Sequence, residues 1–184
     1  MTMTVRPQQA ADAAAVRRVH TTAFGDTGRV GDLAEALLAG PSRVALVAER
    51  DGEVVGALQL SRSWLDARRE LVDVLVLSPL GVAPAHQRTG VGAALVRAAV
   101  AAADAQGAPL VFLEGVPDYY WRFGFALGRP LGFVPPSDRI PDVAFQVLLR
   151  PTYEPWMTGA FVYPDVFWEH GAVGLRETDP RWTE

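Results

Sequence analysis

The chain has 184 residues, about the length of one globular domain, and 49% of them are hydrophobic, which is enough to bury one sizeable core. It contains no cysteine, and all 17 basic residues are arginine, which excludes cysteine and lysine nucleophiles, disulfides, cysteine-bound zinc and lysine-dependent phosphate loops. The net charge of −4 argues against a nucleic-acid partner, since such binding depends on clustered basic residues. No apolar run approaches the roughly 20 residues of a membrane span, and no signal peptide pattern is visible. We therefore expect a cytoplasmic protein without nucleic-acid or membrane partners.

The first third of the chain predicts two helices followed by a hairpin. An alanine-rich stretch over residues 7–24, with no interior glycine or proline, predicts a helix, and residues 31–38 predict a shorter one. Residues 44–49 and 53–60 have β-type composition, and the Asp-Gly pair between them is typical of a tight hairpin turn. We expect these two strands to be antiparallel neighbours.

The middle of the chain predicts a parallel pair of strands. Residues 71–77, apolar on both faces apart from Asp73, predict a strand that is covered on both sides. Two prolines follow closely, and because proline lacks the N–H that a strand ladder uses, we expect the strand to bulge or part from a neighbour there. A helix over 90–106 and a buried strand over 109–113 complete a right-handed crossover unit with parallel strands.

The last part of the chain predicts the end of the domain and an extension. A short aromatic helix over 118–123 and a strand over 143–149 complete a domain that we place at residues 3–150. Residues 151–184 are irregular and rich in proline, glycine and aromatic residues. We expect this extension to pack on the same domain, with a lid over a binding site as the alternative, and the polar tail from Arg176 onward to be loosely held.

The turn before the long helix has the residue types of a phosphate-binding site. Glycines let the backbone approach a ligand closely, and the first turn of a helix offers unpaired N–H groups and the positive end of the helix dipole. Such a turn is weak evidence alone, since glycines also occur in tight turns without ligands. A dinucleotide fold is disfavoured because its three-glycine fingerprint is not clear. The turn has the sequence His86-Gln87-Arg88-Thr89-Gly90-Val91-Gly92-Ala93.

Two motifs in this order resemble those of the GNAT N-acetyltransferases. The segment from Val82 to Gly92 resembles the family's coenzyme motif, Q/R-x-x-G-x-G/A after a strand that ends in V-x-P. About 30 residues later, Tyr119 to Phe125 resembles the family's Y-Y-x-R-F-G-F block, and the flanking residues resemble the YhbS-like bacterial subgroup. The resemblance implies an α/β GNAT fold, a mixed central sheet flanked by helices in which the parallel fourth and fifth strands splay apart.

The resemblance also implies acetyl-coenzyme A as co-substrate and no metal. In the family the end of the fourth strand pairs with the pantetheine arm, and here the Val82 N–H would polarise the thioester carbonyl. The backbone from Arg88 to Ala93 would hold the pyrophosphate, with the Arg88 side chain either contacting a phosphate or remaining a solvated surface charge. The implied coenzyme-binding residues are Leu80, Gly81, Val82, Gln87, Arg88, Thr89, Gly90, Val91, Gly92 and Ala93.

The resemblance indicates the catalytic residues less directly than it indicates the coenzyme-binding residues. Tyr120 matches the family tyrosine and would act as a general acid that protonates the leaving thiolate, with simple aromatic packing as the alternative. The acceptor's ammonium must also lose a proton; Glu114, after the strand over 109–113, is the first candidate base, Asp73 the second, and a chain of water molecules the third. The three histidines, His20 among them, lack metal-ligand spacing, and we expect them at the surface or in helix caps.

The expected function is direct transfer of acetyl from acetyl-coenzyme A to a primary amine in a ternary complex. The absence of cysteine favours direct transfer over a relay through an enzyme thioester. The alternative is a non-catalytic module on the same fold that binds acyl-coenzyme A as a sensor. The acceptor is a small-molecule or peptide amine that the sequence does not identify, and the resemblance suggests a homodimer.

Overall fold

The structure is a computed structural model that describes residues 3–175, so the tail from Arg176 lies outside the described residues. The α-helices are α1 Ala13–Phe24, α2 Arg29–Ala39, α3 Val91–Ala105, α4 Pro117–Tyr120 and α5 Asp165–Glu169. The strands are β1 Met3–Pro7, β2 Ser42–Arg50, β3 Glu53–Ala67, β4 Leu71–Val82, β5 Leu110–Glu114, β6 Ala126–Leu127, β7 Phe133–Val134, β8 Phe145–Leu149 and β9 Gly159–Val162. Across residues 3–175, none of the helices is long and apolar enough to cross a bilayer.

The strands form one mixed sheet in the order β1-β2-β3-β4-β5-β8-β6, with β9 pairing to β3 and β7 to β9. β4 and β5 run parallel, as the crossover unit predicts, whereas β1–β2, β2–β3 and β5–β8 are antiparallel. The predicted α/β class with a mixed sheet and a parallel pair of fourth and fifth strands is therefore confirmed.

The contacts group the chain into two compact units. The first unit contains Met1–Arg62 and Leu77–Gln106, and the second contains Ser63–Val76 and Gly107–Glu184. β3 and β4 each contribute residues to both units. The domain boundary near residue 150 stays a prediction.

The first unit begins with a strand where the sequence predicted a helix from residue 7. β1 pairs with β2 from Met3 to Pro7, and α1 starts only at Ala13. Between them the Asp12 carboxylate accepts hydrogen bonds from the Arg6 guanidinium at 2.7 and 3.0 Å and from the Gln9 N–H at 2.7 Å. Residues Ala10–Asp12 form a 3-10 helix that runs directly into α1, and the Arg6 guanidinium holds the pKa of Asp12 below its usual range.

The hairpin between β2 and β3 agrees with the sequence, but β3 is longer than predicted. Asp51 and Gly52 have φ values of 52° and 84°, the left-handed conformation that a tight hairpin turn requires. β3 continues past residue 60 to Ala67, where Trp64 to Ala67 pair with β9, and Ser61 and Ser63 are buried within it although their polarity interrupts the apolar pattern. The predicted strand boundary was wrong because a partner strand from far along the chain extends β3.

The core of the second unit is aromatic and lies on β5, β8 and β9. The ring of Phe112 stacks on Phe161 at 4.4 Å and on Phe145 at 5.7 Å, and it meets Phe133 edge-on at 5.2 Å. β9 adds to the sheet as an antiparallel partner of β3, with Phe161 opposite Leu65. Stacked and edge-on aromatic pairs of this kind bury large apolar areas, so residues beyond 150 contribute directly to this core.

Candidate active site

The parallel pairing of β4 and β5 is short. It joins Leu75 to Val111 and Val76 to Phe112, and β4 then continues to Val82. The pairing with β5 ends at Val76, before Pro79, which agrees with the expectation that the strand parts from a neighbour at the prolines. Pro79 lies within β4, because the fixed φ of proline suits extended backbone, and Pro84 lies beyond the end of the strand; the Ser78–Pro79 bond is cis. The Ala83 N–H donates a 2.9 Å hydrogen bond to the Val55 carbonyl, so the end of β4 stays attached to β3.

Two glycines set the packing of helices against the end of β4 in the first unit. A Cβ added to Gly56 would lie 2.8 Å from Val91 and 2.9 Å from Leu95, so the absence of a side chain on β3 lets the first turns of α3 approach. A Cβ added to Gly81 would lie 2.7 Å from Nδ1 of His20. α3 therefore packs closely on β3. The imidazole of His20, on α1, packs against the backbone of β4 at Gly81, within the segment predicted to bind the coenzyme.

The turn before α3 is shaped to expose backbone amides. Arg88 and Gly90 have φ values of 60° and 93°, and α3 starts at Val91 with no described side chain capping its first turn. Oriented amides in left-handed turns and at an uncapped helix start attract anions. The turn can therefore hold phosphate oxygens.

The polar side chains of this turn divide into two groups. Thr89 Oγ1 donates to the His86 carbonyl at 2.7 Å and Gln87 Nε2 donates to the Val82 carbonyl at 3.1 Å, so both side chains stabilise the turn itself. The Arg88 side chain is exposed. Arg50, which the motif did not include, places Nη1 3.5 Å from Thr89 Oγ1. These two guanidinium groups supply positive charge at the turn.

Tyr120 lies in the second unit, on α4. A Cβ added to Gly115 would lie 2.5 Å from its ring, and the ring meets Tyr119 and Phe125 edge-on at 4.9 and 5.8 Å. Gly115 is itself fixed by its N–H bond to the Ala144 carbonyl at 2.9 Å. Burial raises the pKa of Tyr120, so the phenol is protonated at neutral pH and can donate a proton or a hydrogen bond.

Glu114 ends β5 in the same unit and is hydrogen-bonded. Its carboxylate accepts a hydrogen bond from the Tyr163 hydroxyl at 2.9 Å and one from the Gly174 N–H at 3.2 Å. Burial, and then the negative charge of Glu114 and the hydrogen bond to it, raise the pKa of the Tyr163 hydroxyl. Asp73, the second candidate base, is exposed on β4 rather than part of the core.

His20 is the residue whose predicted environment was wrong. The ring is fully buried, and neither of its nitrogens has a hydrogen-bond partner within residues 3–175. Burial lowers its pKa to about 4, so the imidazole is neutral. Val16, Val19 and His20 share the buried face of α1 at helical spacing, which is the signal that could have placed it inside.

The predicted residues fall into the two units by role. The ten coenzyme-binding predictions lie in the first unit, and both catalytic predictions, Tyr120 and Glu114, lie in the second. Among the described residues there is no group of three or more metal-ligating side chains.

Residues 4–128 match the family profile described as acetyltransferase (GNAT) domain. The chain belongs to the GNAT acetyltransferase family. It is 33% identical over 117 residues to the uncharacterised N-acetyltransferase YjhQ of Escherichia coli K12, a match that covers 62% of this chain and 64% of that protein. The chain thus matches less than two thirds of that relative's length.

Solved structures of the family have the same fold. The GNAT family N-acetyltransferase YhbS of Escherichia coli, in complex with CoA, has a TM-score of 0.80 at 24% identity and covers 90% of this chain and 91% of its own. A GNAT family acetyltransferase from Brucella melitensis, in complex with acetyl-CoA, has a TM-score of 0.73 at 29% identity, and the match covers 90% of this chain and 98% of that one. The GNAT family and the YhbS-like fold that the two motifs predicted are confirmed.

Proposed function

We propose that the protein transfers acetyl from acetyl-coenzyme A directly to a primary amine in a ternary complex. The observation that carries the proposal is the turn before α3, where left-handed Arg88 and Gly90 precede an uncapped helix start. The Brucella relative bound to acetyl-CoA and YhbS bound to CoA support the same co-substrate for this chain.

The proposed coenzyme site uses backbone more than side chains. The end of β4, at Leu80, Gly81 and Val82, pairs with the pantetheine arm, and the amides from Arg88 to Ala93 hold the pyrophosphate. Thr89 and Gln87 keep the turn in shape through their hydrogen bonds to its carbonyls. The Arg88 guanidinium adds a charge-assisted contact to a phosphate.

The proposed reaction needs a hydrogen-bond donor to the thioester carbonyl oxygen and a general acid for the leaving sulfur. Bound acetyl-coenzyme A supplies the thioester whose C–S bond breaks as the acceptor nitrogen forms the new C–N bond. The Val82 N–H donates a hydrogen bond to the carbonyl oxygen and stabilises its developing negative charge. Tyr120, whose pKa burial raises, is protonated and gives its proton to the leaving sulfur.

Removal of the acceptor's proton has three candidate routes. Glu114 remains our first proposal because it is a carboxylate at the end of β5, held in place by Tyr163 and Gly174. Exposed Asp73 and a chain of water molecules are the others. The hydrogen bonds on Glu114 also favour the second candidate function, a non-catalytic sensor of acyl-coenzyme A, since they give this carboxylate a structural role.

A coupled assay separates the two functions. Acetyl-coenzyme A is incubated with the protein and a panel of polyamines, amino-acid amides, aminoglycosides and peptides, and released thiol is measured with a chromogenic reagent. The protein contributes no background because it has no cysteine. Release above the rate of hydrolysis with at least one amine supports the transferase. Binding in calorimetry without release with any amine would establish the sensor, and no binding would reject both.

The finer expectations about the whole protein are also proposals. We propose a small-molecule or peptide amine as acceptor, a homodimer, a cytoplasmic location, and a domain ending near residue 150 with the extension packed on it. Light scattering tests the assembly, and cell fractionation tests the location.

A further inference from the structure

Arg50 is a cation beside the proposed coenzyme turn that the family motif does not include. It ends β2, and its Nη1 atom lies 3.5 Å from Oγ1 of Thr89 in the turn before α3. Both residues belong to the first unit. The guanidinium is positively charged at every physiological pH. Arg50 therefore adds a full charge to a turn whose other attractive groups, apart from Arg88, are neutral backbone amides.

No carboxylate among residues 3–175 neutralises this charge. Glu49, the neighbour of Arg50 on β2, already accepts a 2.9 Å hydrogen bond from Nε of Arg6. Glu53 is the cross-strand partner of Arg50 in the hairpin, but none of the ion pairs between described residues includes Arg50. An arginine without a carboxylate partner keeps its charge available for an anion from solution.

The contact between Arg50 and Thr89 is weak and uses little of the guanidinium. A distance of 3.5 Å is the outer limit for a hydrogen bond, and Thr89 Oγ1 already donates its own proton to the His86 carbonyl at 2.7 Å. The other N–H groups of the guanidinium can form the forked pair of hydrogen bonds with which arginine binds a phosphate. Thr89 is exposed and Arg50 is half-buried, so this edge of the turn is open to solvent.

Coenzyme A offers two kinds of phosphate to such a site. Its diphosphate suits a row of backbone amides, and we have assigned it to the amides from Arg88 to Ala93. Its 3′-phosphate is a separate monoester on the ribose that carries roughly two negative charges at neutral pH. A guanidinium compensates such a charge better than neutral amides do. Arg50 reaches the edge of the turn from a different strand, which suits the phosphate that stands apart from the diphosphate.

We propose that Arg50 binds the 3′-phosphate of coenzyme A and makes the protein select coenzyme A over its 3′-dephospho form. The guanidinium donates paired hydrogen bonds to two oxygens of that phosphate, while the turn before α3 holds the diphosphate. The long contact with Thr89 is given up at little cost. The inference rests on the proposed function and adds to it a specificity residue from outside the family motif.

Calorimetry with two ligands tests the proposal. Coenzyme A and 3′-dephospho-coenzyme A are titrated into wild type, Arg50→Gln, Arg50→Lys, Arg88→Ala and Arg43→Gln. The two ligands differ only in the phosphate that the proposal concerns, and neither can form a mixed disulfide with the protein, because the chain has no cysteine. Arg43 is the matched control, an exposed arginine near the start of the same strand.

We expect the preference between the two ligands to depend on Arg50. Wild type and Arg43→Gln should bind coenzyme A about tenfold more tightly than the dephospho form. Arg50→Gln should bind coenzyme A about tenfold more weakly than wild type does and the dephospho form within about twofold of wild type. Arg50→Lys keeps the charge without the fork and should retain part of the preference. Arg88→Ala should weaken both ligands by a similar factor, because Arg88 lies in the turn that holds the diphosphate.

Each remaining outcome counts against the proposal. If wild type binds the two ligands equally, or if Arg50→Gln keeps the wild-type preference, Arg50 does not bind the 3′-phosphate, although the transferase function stands. If Arg50→Gln weakens both ligands by the same factor, Arg50 acts on the diphosphate or on the shape of the turn, and the proposal is wrong. If wild type binds neither ligand, the proposed function fails, and this inference fails with it.

Discussion

The Tyr163 hydroxyl donates a 2.9 Å hydrogen bond to Oε1 of Glu114, which connects the segment after β9 to the end of β5 within the second unit. The Tyr163 ring is only 4% exposed and packs between Phe161 and Phe167, with centroids at 4.8 and 4.5 Å. The Tyr163 ring is thus buried among aromatic rings, while its hydroxyl donates a hydrogen bond to the half-buried carboxylate of Glu114.

Tyr163→Phe should lower the free energy of unfolding by about 1–2 kcal/mol, because the ring packing remains but the carboxylate loses one hydrogen bond. Urea unfolding measures the change. Tyr153→Phe, at a half-buried tyrosine, is the control and should have little effect. Equal midpoints for Tyr163→Phe and wild type would show that this hydrogen bond contributes nothing net.

His20 makes stability depend on pH in a defined direction. Between its unfolded pKa of 6.5 and its folded pKa of about 4, the unfolded chain binds a proton that the folded chain does not, so stability falls as the pH falls. From about pH 7 to about pH 5, wild type should lose about 2 kcal/mol more than His20→Leu. Urea unfolding at both pH values tests this, and parallel losses in the two proteins would show that the imidazole is not desolvated.

Arg88→Ala should weaken binding of acetyl-coenzyme A about tenfold, since one charge-assisted contact to a phosphate is lost while the backbone amides remain. Calorimetry gives the Kd. Arg97→Ala, at an exposed arginine farther along α3, is the control and should bind as wild type does. An unchanged Kd for Arg88→Ala would identify Arg88 as a solvated surface charge.

Tyr120→Phe should reduce turnover about 100-fold or more and leave the Kd for acetyl-coenzyme A within about twofold, because only the proton donor is removed. The neighbouring Tyr119→Phe removes a similar hydroxyl from the adjacent ring and should keep its activity. Since burial raises the pKa of Tyr120, wild-type activity should also show no alkaline decline from this group below about pH 10. Unchanged turnover in Tyr120→Phe would leave the residue a packing role only.

Local chemistry explains what could be predicted from the sequence. The Asp51-Gly52 turn, the glycine-opened start of α3 and Gly107 after its end each depend on conformations that few residues adopt, so they are visible in the letters themselves. The apolar strand β5 and its parallel pairing with β4 followed from the order of elements. These features place the turn before α3 correctly within the chain.

The features that sequence reasoning missed depend on residues far apart in the chain. His20 is buried because Gly81 leaves room for it, and Glu114 is hydrogen-bonded because Tyr163 and Gly174 return to it. No periodicity in a single segment carries that information. The short strands β6 and β7 were missed for the same reason, since their partners in the sheet define them.

The close approach of His20 to Gly81 has an evolutionary consequence. While a histidine stands at position 20, position 81 accepts no side chain, since even a methyl group would come within 2.7 Å of the ring. The two positions should therefore covary among relatives, with larger residues at 81 appearing only where position 20 holds a smaller one. A family tree in which glycine and histidine are lost on the same branches would mark where the lineage changed the packing of α1 against β4.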